Sequence, residues 1–182
     1  FKDNTYETSL EVYYKSMQNQ IEYEEGYTPN TLEDTEQSFT FGNGWSYGAE
    51  FLVNKQKGRL TGWIGYTLSW TWRKFEALND GIKFPTRYDR RHDLSVVANY
   101  EQSTKWKFGA VLVYGTGNAI TLPERFYFVN GVLTQEYSRL NQYRMKSYHR
   151  LDLSATYTPA PKKKRRVNGY WVFSIYNVYS RL

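Results

Sequence analysis

Leu60-Thr61-Gly62-Trp63-Ile64-Gly65-Tyr66-Thr67-Leu68-Ser69-Trp70 alternates residue by residue. Leu60, Gly62, Ile64, Tyr66, Leu68 and Trp70 share one parity, and Thr61, Trp63, Gly65, Thr67 and Ser69 share the other. Successive side chains of a strand point to opposite faces, so the stretch predicts a strand with one apolar and one polar side. The same period recurs along the chain. Thr8, Leu10, Val12 and Tyr14 oppose Glu7, Ser9, Glu11 and Lys15; Trp45, Tyr47, Ala49, Phe51 and Val53 oppose Ser46, Gly48, Glu50 and Asn54. Further on, Leu94, Val96, Ala98 and Tyr100 oppose Asp93, Ser95, Asn99 and Glu101, and Trp106, Phe108, Ala110, Leu112 and Tyr114 oppose Lys107, Gly109, Val111 and Val113. Leu151, Leu153, Ala155 and Tyr157 oppose Arg150, Asp152, Ser154 and Thr156, whereas Tyr170 to Tyr179 is apolar on both parities and has no readable orientation.

Each segment is about ten residues, enough at about 3.3 Å per residue and a tilt near 45° to cross the roughly 25 Å apolar band of a bilayer. Strands of soluble sandwiches more often run five or six residues. The connections alternate as well. Gln56-Lys57-Gly58 and Gln102-Ser103-Thr104 are short, whereas the first and second, third and fourth, and fifth and sixth segments are joined by long ones. Thr158 to Gly169 is intermediate and belongs by order to the short side. Short turns on one side and long loops on the other are the pattern of an outer-membrane barrel. Trp45, Tyr47, Tyr100, Trp106, Tyr114, Tyr157 and Trp171 are expected near strand ends, where amphipathic rings suit a membrane interface.

The chain of 182 residues carries 18 Tyr, 10 Phe and 6 Trp, no Cys and only 2 His, with a net charge of +6. Without cysteine there is no disulfide framework, thiolate zinc site or cysteine nucleophile. No apolar run approaches the roughly 20 residues of a membrane helix, and the opening Phe1-Lys2-Asp3-Asn4-Thr5 reads as a truncated start in place of a secretory signal.

Candidate chemistry is sparse. Pro161-Lys162-Lys163-Lys164-Arg165-Arg166-Val167 resembles a nuclear import signal but reads better as a solvated turn that meets anionic headgroups, and no nucleic-acid partner is expected. Glu22, Glu24, Glu25, Glu33, Asp34 and Glu36 gather carboxylates in the long loop 22–36, where calcium is conceivable, although the spacing matches no defined calcium loop. His92 and His149 are expected to hydrogen-bond the charges Asp93, Arg150 and Asp152. Phe75, Phe84 and Tyr88 among Lys74, Lys83, Arg87, Arg90 and Arg91 suit either an anionic ligand or a packed lid. Asn130-Gly131 predicts a tight hairpin inside an ordered third long loop. The echo of Arg91-His92-Asp93-Leu94-Ser95 in Arg150-Leu151-Asp152-Leu153-Ser154 reads as repeated hairpin architecture. We find no catalytic constellation, no metal or cofactor site, and no residues that can be named as substrate-binding.

Gly44-Trp45-Ser46-Tyr47-Gly48-Ala49-Glu50, Gly62 to Ser69, Phe84-Pro85 with Tyr88-Asp89-Arg90-Arg91-His92-Asp93, Tyr114-Gly115-Thr116-Gly117-Asn118 and Tyr148-His149-Arg150-Leu151-Asp152 together resemble the C-terminal part of the barrel of TonB-dependent receptors. The likeness covers most of the chain and is greatest to the subgroup with a carboxypeptidase-regulatory-like N-terminal domain. It implies an all-β, antiparallel transmembrane β-barrel segment, about seven membrane-length strands of a barrel of about 22. Residues 1–182 are then the C-terminal portion of an outer-membrane β-barrel with no plug domain, in the cell outer membrane of a Gram-negative cell. The implied function is receptor-mediated transport of a scarce nutrient, with no enzyme activity and no cofactor. The implied partners are outer-membrane lipid, the remaining strands and plug of the same receptor or a barrel-assembly machine, and the energy-coupling TonB complex. Two readings from other classes stand beside it: a soluble β-sandwich that binds carbohydrate, and a small outer-membrane enzyme. The membrane reading expects the apolar stripes to touch lipid; two stripes meeting in a dry core would contradict it.

Overall fold

A computed structural model describes residues 4–23, 38–160 and 169–181. The chain is all-β and its sheets are antiparallel. Seven strands form one meander: β1 (Tyr6–Tyr23), β2 (Phe39–Lys55), β3 (Leu60–Phe75), β5 (His92–Glu101), β6 (Trp106–Gly115), β11 (Tyr148–Tyr157) and β12 (Trp171–Ile175), adjacent in that order. The long connections hold β4 (Phe84–Pro85), β7 (Ala119–Ile120), β8 (Pro123–Val129), β9 (Val132–Tyr137) and β10 (Tyr143–Arg144). The sheet does not close into a barrel, and among the described residues β1 and β12 each have one unpaired edge. Among the described residues no helix is long and apolar enough to cross a membrane, which says nothing about strands.

All seven expected segments are strands of this sheet, and their register makes the parities coherent. Directly opposed residues of an antiparallel pair share a face. Thr8, Val53, Ile64, Val96, Leu112 and Leu151 therefore form one row on one face, and Glu7, Asn54, Trp63, Val97, Val111 and Asp152 form the neighbouring row on the other. β12, unreadable from its own sequence, is oriented by pairing: Phe173 lies opposite Ala155 and Ile175 opposite Leu153. Its expected extent needs correction, for the strand ends at Ile175 and not at Tyr179. Asp152 Oδ1 accepts the Asn177 N–H at 2.9 Å, and Asn177 has φ of 53°, so the backbone leaves the ladder there.

The first three strands have 18, 17 and 16 residues, well beyond the ten expected. β3 outruns β5, whose last partner on it is Leu68. The surplus is paired by the following loop: β4 sets Pro85 against Trp72 and Phe84 against Arg73, Ser69 N–H donates to Arg91 O, and Thr86 N–H donates to Thr71 O. The extra length also moves Trp45 and Tyr47 away from the strand end where they were expected, into the body of β2.

The short turns have local causes. Gly58 has φ of 101° in the β2–β3 turn. Between β5 and β6, Ser103 Oγ accepts the N–H groups of Lys105 and Trp106, an arrangement that reverses the chain without a glycine. In the third long connection Asn130 and Gly131 have φ of 51° and 81°, and Val129 faces Val132 across them, the two-residue hairpin the sequence predicts.

Candidate functional site

The principal candidate surface is the sheet itself, because its two faces differ chemically from edge to edge. On one face stand Glu7, Glu11, Glu22, Glu50, Asp93, Glu101 and Asp152, every carboxylate of the seven paired strands among the described residues. The opposite face has no carboxylate. Among the described residues the only Lys or Arg side chains that the seven strands put on it are Lys55, paired with Gly62, and Lys74, paired with Asn43, at opposite ends. Among the described residues no second sheet is stacked on this apolar face: Leu10, Phe51, Ile64, Tyr100, Leu153 and Phe173 are between 39% and 69% exposed.

Aromatic rings gather toward both ends of the apolar face. At the short-turn end Trp106 lies 4.8 Å from Tyr157 and 6.1 Å from Phe108, and Trp171 is opposite Tyr157. Toward the long-loop end Tyr47 stacks on Trp70 at 5.3 Å, with Trp45 opposite Trp72 in the next row. Cations cover two of these rings: Arg91 is 4.7 Å from Trp70 and Lys83 is 5.1 Å from Trp72.

The buried core lies at the long-loop end, where Phe75, Leu78 and Phe84 pack together with Leu140 from the third long connection. Of the two sequence readings for the loop around Phe75, Phe84 and Tyr88, the structure gives the packed lid. Phe75 and Phe84 are buried, Tyr88 is exposed, and three of the cations are paired: Lys74 with Glu76, Arg90 with Asp93 and Arg91 with Asp89. The knot is Asp89, which is 1% exposed. Its Oδ1 accepts the Thr71 N–H at 2.7 Å, filling a gap in the β3 ladder, and its Oδ2 meets both Arg91 and Arg144. Arg144 also donates to Asp89 O at 2.7 Å, so one residue ties the second long connection to the third. Nearby, Tyr143 donates to Glu124 at 3.0 Å, and that hydrogen bond raises its phenol above the ordinary range.

Both histidines need correction. Asp93, Arg150 and Asp152 lie on the polar face, whereas His92 and His149 stand on the apolar parity beside Leu68 and Tyr114. Their partners are tyrosines: His92 Nδ1 is 2.8 Å from Tyr66 Oη, and His149 Nδ1 is 2.8 Å from Tyr179 Oη. The charges pair without them, Arg90 with Asp93 at 2.9 Å and Arg150 with Asp152 at 3.0 Å. The R-x-D-L-S echo does not mark equivalent positions, since Asp93 faces Gly115 and Asp152 faces Val111.

The acidic loop 22–36 needs correction at its start, where Glu22 belongs to β1 and pairs with Arg73 at 3.0 Å; its other acids, Glu24 to Glu36, and the basic run 161–167 lie outside the described residues. Among the described residues no group of three His, Asp or Glu side chains is arranged to hold a metal ion. Sequence reasoning missed Asp89, because an acid among arginines carries no signal for the backbone N–H it will accept.

No protein-family model, no curated protein and no solved structure matches the chain.

Proposed function

We propose that this chain is a segment of a transmembrane β-barrel of the outer membrane, its apolar face in lipid and its polar face toward a wet or plugged interior. The observation that carries the reading is the segregation of charge. Among the described residues the carboxylates of the paired strands are confined to one face, and the strands' own cations on the apolar face stand only at its two ends, with Arg91 and Lys83 reaching from the loop over Trp70 and Trp72 toward one of them. From Gly62, opposite Lys55, to Lys74 the path along β3 is roughly 40 Å at about 3.3 Å per residue. At a tilt near 45° this spans roughly 28 Å of bilayer, close to the height of its apolar band. Lysines at such limits extend into the headgroup layer. A soluble carbohydrate-binding sandwich would cover its apolar face with a second sheet, and none covers it among the described residues.

The open edges support a larger assembly. In lipid an unpaired strand edge leaves amides unsatisfied at several kcal/mol each, so β1 and β12 require further strands, from the same receptor or from a barrel-assembly machine. The narrower reading, a TonB-dependent receptor that imports a scarce nutrient with energy from the inner membrane, rests on the sequence resemblance alone. It assigns the chain no enzymatic role and no particular ligand.

Extraction tests the broad reading. The chain should sediment with membranes, leave them only in detergent, and show tryptophan emission quenched by lipids brominated along their acyl chains. A monodisperse protein in plain buffer with unquenched tryptophans would sink it.

A further inference from the structure

Resting on the lipid-facing reading, we propose that the short-turn end of the apolar face holds an anionic phospholipid, with its phosphate against the turn Lys55, Lys57 and Arg59 and one acyl chain in the groove beside it. The groove has a volume of about 240 Å³ and lies among Tyr6, Val53, Leu60, Ile64, Val96 and Ala98. It exists because the row Gly62, Ala98, Ala110 has small side chains between two bulky rows, Ile64, Val96, Leu112 and Leu60, Tyr100, Phe108. Its floor stays open: Gly62 has φ of 142°, and a Cβ there would come within 2.0 Å of Val97 O.

Charge selects the occupant. Lys55 stands on the apolar face at the end of the groove, where its ammonium donates to Leu60 O at 2.7 Å and lies 6.0 Å from the Tyr6 ring. That carbonyl uses one of three ammonium hydrogens. Lys57 and Arg59 follow in the same turn and are exposed. Among the described residues the two carboxylates at this end, Glu7 and Glu101, lie on the polar face and are engaged there, Glu7 by Asn54 and Gln56 and Glu101 by Lys107. Lys55 thus puts a cation at the mouth of an apolar slot, with Lys57 and Arg59 exposed in the adjoining turn, an arrangement complementary to a lipid that joins a phosphate to a hydrocarbon chain.

The test uses the full chain in two steps. Tryptophan quenching in vesicles of brominated phosphatidylcholine comes first; without it the apolar face does not meet lipid, and both readings fall. With quenching established, the protein in detergent receives equal amounts of phosphatidylglycerol and phosphatidylcholine, and retained lipid is counted by native mass spectrometry. Phosphatidylglycerol should be preferred roughly tenfold. The preference should vanish in K55Q/K57Q/R59Q and persist in K74Q, which alters the cation at the far end. Ala98→Phe, which fills the groove, should weaken retention with the cations intact. Equal retention of the two lipids, an unchanged preference in the triple variant, unchanged retention in Ala98→Phe, or displacement by inorganic phosphate alone would overturn the proposal and leave the lipid-facing reading standing.

Discussion

Asp89 shows how much a single side chain can hold. Its carboxylate is buried, takes a strand N–H from Thr71 and joins Arg91 to Arg144, so it replaces a missing ladder acceptor and also links two loops. Neutralising one member of a buried ion pair strands the other charges and costs about 3 kcal/mol or more. Asp89→Asn should therefore loosen the packed loops while sparing the sheet. Amide exchange at Thr71 and across residues 139–144 should speed up well over tenfold, with β5 and β6 unchanged; equal protection in the variant would show that Asp89 is dispensable. Gly131 is a milder case. Nothing lies within 4 Å of a Cβ built there, so the cost of Gly131→Val is the backbone strain of a φ of 81°, roughly 1 to 2 kcal/mol. The measurable result is faster exchange in β8 and β9 with no change elsewhere.

At the scale of the element, β6 offers a direct comparison of the two faces. Leu112 sits in the central row of the apolar face, between Val96 and Leu151, and Val111 sits on the polar face between Val97 and Asp152. An arginine facing lipid near the bilayer midplane costs about 2 to 4 kcal/mol. Leu112→Arg should lower unfolding free energy in lipid vesicles by that amount. Val111→Arg, beside Asp152, should change it by less than about 1 kcal/mol. Equal penalties at both positions would mean that the two faces meet the same environment. β8 and β9 pose a different question: Phe126, Phe128 and Leu133 point to one side of the hairpin and Tyr127, Val129 and Val132 to the other, all of them exposed. Nothing among the described residues covers either side.

For the whole molecule the controlling feature is the open sheet. An exposed long edge pairs readily with another chain, so in detergent without further strands the outward-pointing amides of β1 and β12 should exchange fast while those of β3, β5 and β6 stay protected. Uniform protection across all seven strands would indicate that the edges find partners in a second copy.

Periodicity determined the first six strands and their two parities, because side-chain direction in a strand is a local consequence of backbone geometry, and the Asn130-Gly131 pair determined its hairpin through the turn it favours. Where the parities became indistinct, as in the doubly apolar run from Tyr170, only pairing with β11 decided which ring faces which way. The excess length of β1, β2 and β3 was likewise invisible, since a strand continues wherever a neighbour supplies acceptors, and for β3 that neighbour is a loop that folds back. The histidines were misjudged for a similar reason. Adjacency to Asp93 and Arg150 in sequence means the opposite face in a strand, and cross-strand register brought tyrosines to them instead. Composition and period sufficed for the chemistry of each face; contacts across the sheet, which join residues far apart in the chain, chose the partners.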